Sequence, residues 1–174
     1  MHVPDGFINA SVSAATGVIS FGTLWAYIRS ASSLIADKFI ALTGMMTALI
    51  FVLQMINFPV AAGTSGHLLG GALAVIVLGP RLGLICLSVV VIIQSLLFAD
   101  GGLSALGINV MNMAIVTSVT AWVVVKYWIK FIGKTSSSLI IVSVLSGIVS
   151  VIFSSIAFMV QYLSLIHISE PTRR

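Results

Sequence analysis

Six apolar runs, broken by short polar punctuation, fill nearly the whole of this 174-residue chain. About 20 apolar residues in a row cross a bilayer as a helix, and inside lipid only helices and closed barrels satisfy their own backbone. With 59% hydrophobic residues, 7% charged residues and a mean hydropathy of +1.21, the sequence lies far from a soluble domain. The expected fold is therefore all-α: a polytopic integral membrane helical bundle, surrounded by lipid and built as a single domain. The net charge of +4 does not point to nucleic acid, because the basic residues sit singly at the ends of apolar runs and report orientation instead.

The first run extends from about Phe7 to Ile28 and the second from about Phe39 to Ile56, with Arg29, Asp37 and Lys38 between them. Asn57, Phe58 and Pro59 open a stretch rich in Gly, Thr and Ser. The run after it, Leu68 to Leu78, is too short for an ordinary span and reads as a helix preceded by irregular backbone. Gly79, Pro80, Arg81 and Gly83 turn the chain into a fourth run that ends at Phe98, and Asp100, Gly101 and Gly102 turn it again. A fifth run reaches Val125 ahead of Lys126, Lys130 and Lys134, and a sixth occupies roughly Leu139 to Tyr162. Beyond it, LSLIHISEPTR (Leu163 to Arg173) resembles the translation of a transposase adaptor used in preparing DNA sequencing libraries. The membrane domain is accordingly expected to be 1–162, truncated at its C-terminus, with 163–174 expected to be a read-through tail whose His167, Glu170, Arg173 and Arg174 are given no functional weight.

Arg29 and Lys38 fall in the first loop, Arg81 in the third and the three lysines in the fifth, whereas the alternate loops carry Asp5 and Asp100 and no cation. The positive-inside rule then makes the odd-numbered loops cytoplasmic and places the N-terminus outside. Trp25 with Tyr27, and Tyr127 with Trp128, fit an aromatic belt on the cytoplasmic face. MHVPDG lacks the basic start of a signal peptide, so Met1 is expected to stay on the mature chain.

The same topology puts His2, in MHVPDGF, and His67, in GTSGHLLGG, on one side of the membrane. Irregular backbone at membrane depth is tolerated where protein buries it or where it lines a cavity, and a loop ending in a metal ligand meets that condition. Gly66, Gly70 and Gly71 allow close helix approach, the first two at small-xxx-small spacing. In a chain beginning Met-His, the α-amine of Met1, the deprotonated backbone nitrogen of His2 and its Nδ1 can close two fused chelate rings on one ion. A fourth nitrogen from His67 completes a planar set, which suits Ni(II) or Cu(II), leaves Co(II) open and argues against Mg(II) and Ca(II). The plain alternative is an exposed terminal His2 and a His67 hydrogen-bonded within a helix interface. Cys86, alone in mid-span, reads as a buried apolar thiol, and Met45, Met46, Met55, Met111 and Met113 read as packing rather than as a Cu(I) path.

MHVPDGF at the start, NFPVAAGTSGHLLGGALAVIVLGP in the middle and LLFADGGLSALGINVMNM later resemble the CbiM/NikM family, the membrane substrate-binding (S) subunits of cobalt and nickel energy-coupling factor transporters. The similarity runs from Met1 to about Lys134. The resemblance implies an ion held by Met1, His2 and His67, with Ni(II) or Co(II) as transported substrate and no organic cofactor. It implies a prokaryotic cell membrane and usually seven spans, where this chain offers six. It also implies partners: two cytoplasmic ATPase subunits, a membrane coupling (T) subunit and often a small auxiliary membrane subunit, serving cobalamin biosynthesis or nickel enzymes. GTSGHLLGG is similar to the nickel-type members.

Ligating imidazoles commonly hand their second ring nitrogen to a carboxylate, carbonyl or amide. The polar residues able to reach an outer-side site are Asp5, Asn57, Thr64, Ser65, Asp100 and Asn109, of which Asn57 and Asn109 stand best placed. Each has a simpler role open to it: Asp5 and Asp100 in turns, Asn57 as a cap. Gln54, Gln94, Asn109 and Asn112 are expected to face the bundle interior, since lipid offers them no partners. Neither HExxH nor GxxxxGK[ST] occurs, so the chain is not expected to be an enzyme, and energy for transport has to come from partner subunits. A substrate-binding subunit or channel-like membrane protein for another small solute would share this hydropathy without needing a chelating terminus.

Overall fold

A computed structural model describes residues 2–31, 37–61 and 64–168. Helix α1 spans Ala10–Ala31 and α2 spans Asp37–Met55; strands β1 (Phe58–Ala61) and β2 (Thr64–Gly66) follow, and then α3 (Gly71–Leu97). Helix α4 (Leu106–Asn109) runs through a π-helical segment, Val110–Val116, into α5 (Thr117–Ile132), and α6 spans Ser136–Ile168. Among the described residues, Ala10–Ala31, Gly71–Leu97, Leu106–Ile132 and Ser136–Leu163 are long and apolar enough to cross a membrane, and α2 adds the shorter apolar Phe39–Met55. The molecule is a helical membrane bundle, as its hydropathy requires.

The first helix starts at Ala10 rather than at Phe7, because Asn9 Oδ1 accepts the backbone N–H of Ser11 at 2.7 Å and caps the helix there. Helix α3 is broken within its length. Gly79 has φ 78° and ψ 171°, a backbone region open essentially to glycine alone, and Pro80 after it suits the first position of a new helix. The two arms, 71–78 and 80–97, fold back on each other, with Gly83 against the backbone of Ala74 and Gly70 against Leu87. At about 12 Å the short arm cannot cross the hydrocarbon alone. Its starting point is therefore held inside the bundle, level with the middle of the long arm, and His67 enters from just above it.

Helix α3 packs on α1, α2, α5 and α6, so the core is centred on it. Ile50, Leu87, Val90, Val91, Val110 and Met113 are fully buried there, and Cys86 among them accepts a hydrogen bond from Thr47 Oγ1 at 3.2 Å. Gln54, Gln94, Asn109 and Asn112 are buried, matching the expectation for polar groups in spans, whereas Met45 and Met55 are exposed and Met46 and Met113 buried. At the opposite end from the histidines, Arg29 lies over the Trp25 ring at 5.9 Å and Lys126 over Trp122 at 4.9 Å. Such pairs keep the cation at a polar boundary while the stem and ring lie along apolar surface.

Candidate metal centre

The amino-terminal segment is held between the loop after α3 and the start of the α4–α5 helix. Asn109 clasps Val3 twice: the Val3 N–H donates to Oδ1 at 2.8 Å and Nδ2 donates to the Val3 carbonyl at 3.2 Å. Gly102 N–H donates to the same carbonyl at 2.8 Å. The Val3 side chain is buried with Ile8, Ala105 and Ile108, so this clasp is closed on its apolar side. Asp5 Oδ1 accepts both the N–H (2.8 Å) and the Oγ–H (2.6 Å) of Ser104, which hold its carboxyl below the usual range. Gly102 permits the close approach: a Cβ there would stand 2.3 Å from the Asp5 nitrogen.

This anchoring carries the His2 side chain inside, to 7% exposure. Its Nδ1 lies 3.2 Å from Asp100 Oδ1 and its Nε2 lies 3.1 Å from Gln94 Oε1. The His67 ring is stacked on it, with centroids 5.1 Å apart and planes 21° from parallel. His67 Nδ1 donates to the Leu68 carbonyl at 2.9 Å, which places the lone pair of the neutral ring on Nε2. Gln54 Nε2 donates to the Leu69 carbonyl at 2.7 Å and fixes the chain just below His67. Burial pushes the pKa of both histidines down; at His2 the nearby Asp100 opposes the shift and His67 reinforces it. Burial of the two rings thus favours the neutral imidazole, the form that ligates metals.

The structure thus brings together His2, His67, Asp100 and Asn109, while Asp5 locks the segment further along. Asn109 holds backbone beside His2 rather than a ring nitrogen. Asn57 is exposed just past α2. Thr64 and Ser65 lie in β2, where Ala61 pairs with Thr64 and Pro59 with Ser65; their side chains, and Met1 with its α-amine, are outside the described residues. Gln94 is the partner that sequence reasoning left among the interior amides. An ion on Nδ1 requires the ring proton on Nε2, where Gln94 Oε1 accepts it. Among the described residues no set of three His, Cys, Asp or Glu side chains is gathered for a metal.

A cavity of about 400 Å³ lies beside His67, between Leu69–Gly71 and Gly147–Val151 of α6. The larger space, about 860 Å³ between α1, α2 and the long arm of α3, is lined by Ile28, Phe39, Phe51 and Phe98 and offers no comparable ligand.

Two imidazoles stacked at one end of a helical bundle with several membrane-length apolar helices make up the candidate site. The chain belongs to the CbiM family, described as the cobalt uptake substrate-specific transmembrane region, which matches residues 2–171. A solved structure of a truncated transition metal transporter superposes with a TM-score of 0.81 at 26% identity, covering 93% of this chain and 74% of that one. A protein of Archaeoglobus fulgidus, provisionally named as a fused nickel transport protein NikMN, is 47% identical over 116 residues, 67% of this chain and 38% of that protein. The cobalt transport protein CbiM of Clostridioides difficile is 27% identical over 158 residues, 90% of this chain and 63% of that protein. The chain spans 38%, 53% and 62% of three curated relatives that it matches, about half their length.

Proposed function

We propose that this chain is the substrate-specific membrane component of an ATP-driven uptake transporter for Ni(II) or Co(II), and that it holds the ion at a planar nitrogen site built on its free amino terminus. One observation carries the reading: the Asn109 clasp on Val3 buries the second residue of the chain against His67. A purely exposed terminus has no use for such an anchor. The ligands are the Met1 amine, the backbone nitrogen and Nδ1 of His2, and Nε2 of His67. Gln94 takes the remaining His2 proton and the Leu68 carbonyl takes that of His67, so each ring is oriented from behind. Four nitrogens in a plane favour Ni(II), Cu(II) or Co(II) over oxygen-seeking cations.

The positive-inside pattern places this end of the bundle outside, where it meets the incoming ion. Sequences of the NikMN and CbiM type support nickel or cobalt as the substrate. Two cytoplasmic ATPase subunits supply, through a membrane coupling subunit and often beside a small auxiliary membrane subunit, the energy that this chain has no phosphate-binding loop to harvest. The test is metal content by mass spectrometry after dialysis against Ni(II) or Co(II). Exchanging His67→Ala is expected to lower affinity at least about 10-fold while the protein stays folded. Unchanged affinity in both metals would remove His67 from the site.

A further inference from the structure

We propose that Asp100 is the capture ligand of this site: its carboxylate takes the incoming ion at the mouth and delivers it to Nδ1 of His2. The inference rests on the amino-terminal site proposed above. Asp100 spans the boundary the ion must cross, since its side chain is 31% exposed while that of His2, 3.2 Å away, is 7% exposed. The other carboxylate near this segment, Asp5, is committed to two donors of Ser104. The Asp100 backbone is tied down as well, its N–H donating to the Gln94 carbonyl at 3.1 Å, so a change of partner is left to the side chain.

The atom that Asp100 faces is the one the chelate needs. Nδ1 cannot both face the Asp100 carboxylate at 3.2 Å and hold an ion, so loading exchanges one contact for the other. The ion arrives as a hydrated cation with oxygen ligands, for which a partly exposed carboxylate is a good first partner and a buried imidazole a poor one. When it moves to Nδ1, the single ring proton is held on Nε2, 3.1 Å from Gln94 Oε1. Asp100 is then released from the ring and stands ready over the mouth. Its contribution is to the speed of capture, not to the final planar donor set.

Stopped-flow mixing of the purified chain in detergent with Ni(II) alone, followed by the d–d absorption of the bound ion, separates these roles. Asp100→Asn keeps a hydrogen-bond acceptor and removes the charge; it is expected to lower the association rate constant about 10-fold or more. A ligand used only in transit speeds entry and exit alike, so dissociation should slow by the same factor while affinity and the final spectrum stay as they were. Asp100→Glu should restore most of the lost rate. An unchanged association rate, or a defect confined to dissociation, would overturn the proposal. If Asp100→Asn does not fold, the unaltered chain still decides: its association rate should fall as salt is raised, and a salt-independent rate overturns the idea. An unaltered chain that takes up no nickel at all would instead overturn the metal site itself, and with it the role given to Asp100.

Discussion

At the scale of single residues, the site is organised around backbone as much as around ligands. Asn109 is the clearest case, because it satisfies both polar groups of Val3 at a buried position. Asn109→Ala leaves the Val3 N–H without that partner, an expected cost of about 1–3 kcal/mol in unfolding free energy. It should also weaken nickel binding about 10- to 100-fold by loosening His2, as loss of an outer partner does at metal sites. Calorimetric titration alongside denaturant unfolding checks both, and unchanged affinity would show that the clasp is not what positions the imidazole. The two histidines were legible in the sequence because so few residue types can chelate. The relevance of Asp100 and Asn109 followed from their place at one end of apolar runs. Gln94 was not legible as a partner of His2: its tie depends on the depth to which residues 2–5 insert, and that depth is set by Val3 packing on Ala105 and Ile108.

At the scale of elements, the break at Gly79 decides where His67 sits. A straight helix from Gly71 to Leu97 would carry the preceding loop away from the site, whereas the folded-back short arm returns it to the level of Leu87. Gly79→Ala meets no neighbour within 4 Å, so its whole expected penalty is conformational, about 1–3 kcal/mol. Gly147→Ala, equally uncrowded but within α6 at an ordinary backbone angle, should be neutral or slightly stabilising. Thermal unfolding in one detergent compares them, and equal effects would contradict the hairpin geometry. The Gly-Pro pair and the short apolar run announced this hairpin in advance. The paired strands β1 and β2 were not announced: seven residues without alternation, and with an irregular register between Pro59 and Ala61, give no strand pattern to read. Helix ends were blurred for another reason. Hydropathy marks where lipid ends, whereas α5 continues past Lys126 and Lys130 to Ile132 because the backbone keeps its own hydrogen bonds in water too.

At the scale of the whole molecule, the chain divides into a closely packed centre and two unlike ends. The centre is the apolar packing around α3; one end carries the clasped amino terminus, and the other carries cations lying over aromatic rings. Charge asymmetry and the histidine positions had set these two ends apart in the sequence. The central claim is that the terminus itself is the ligand, and its most direct test is one alanine inserted between Met1 and His2. Every side chain is kept, but the amine, the His2 backbone nitrogen and Nδ1 no longer form the two fused rings. The expected result is a folded protein that has lost bound nickel and cobalt, with their ratio in the unaltered chain naming the favoured substrate. Equal metal content in both proteins would contradict the account, for then the chain end is not part of the site.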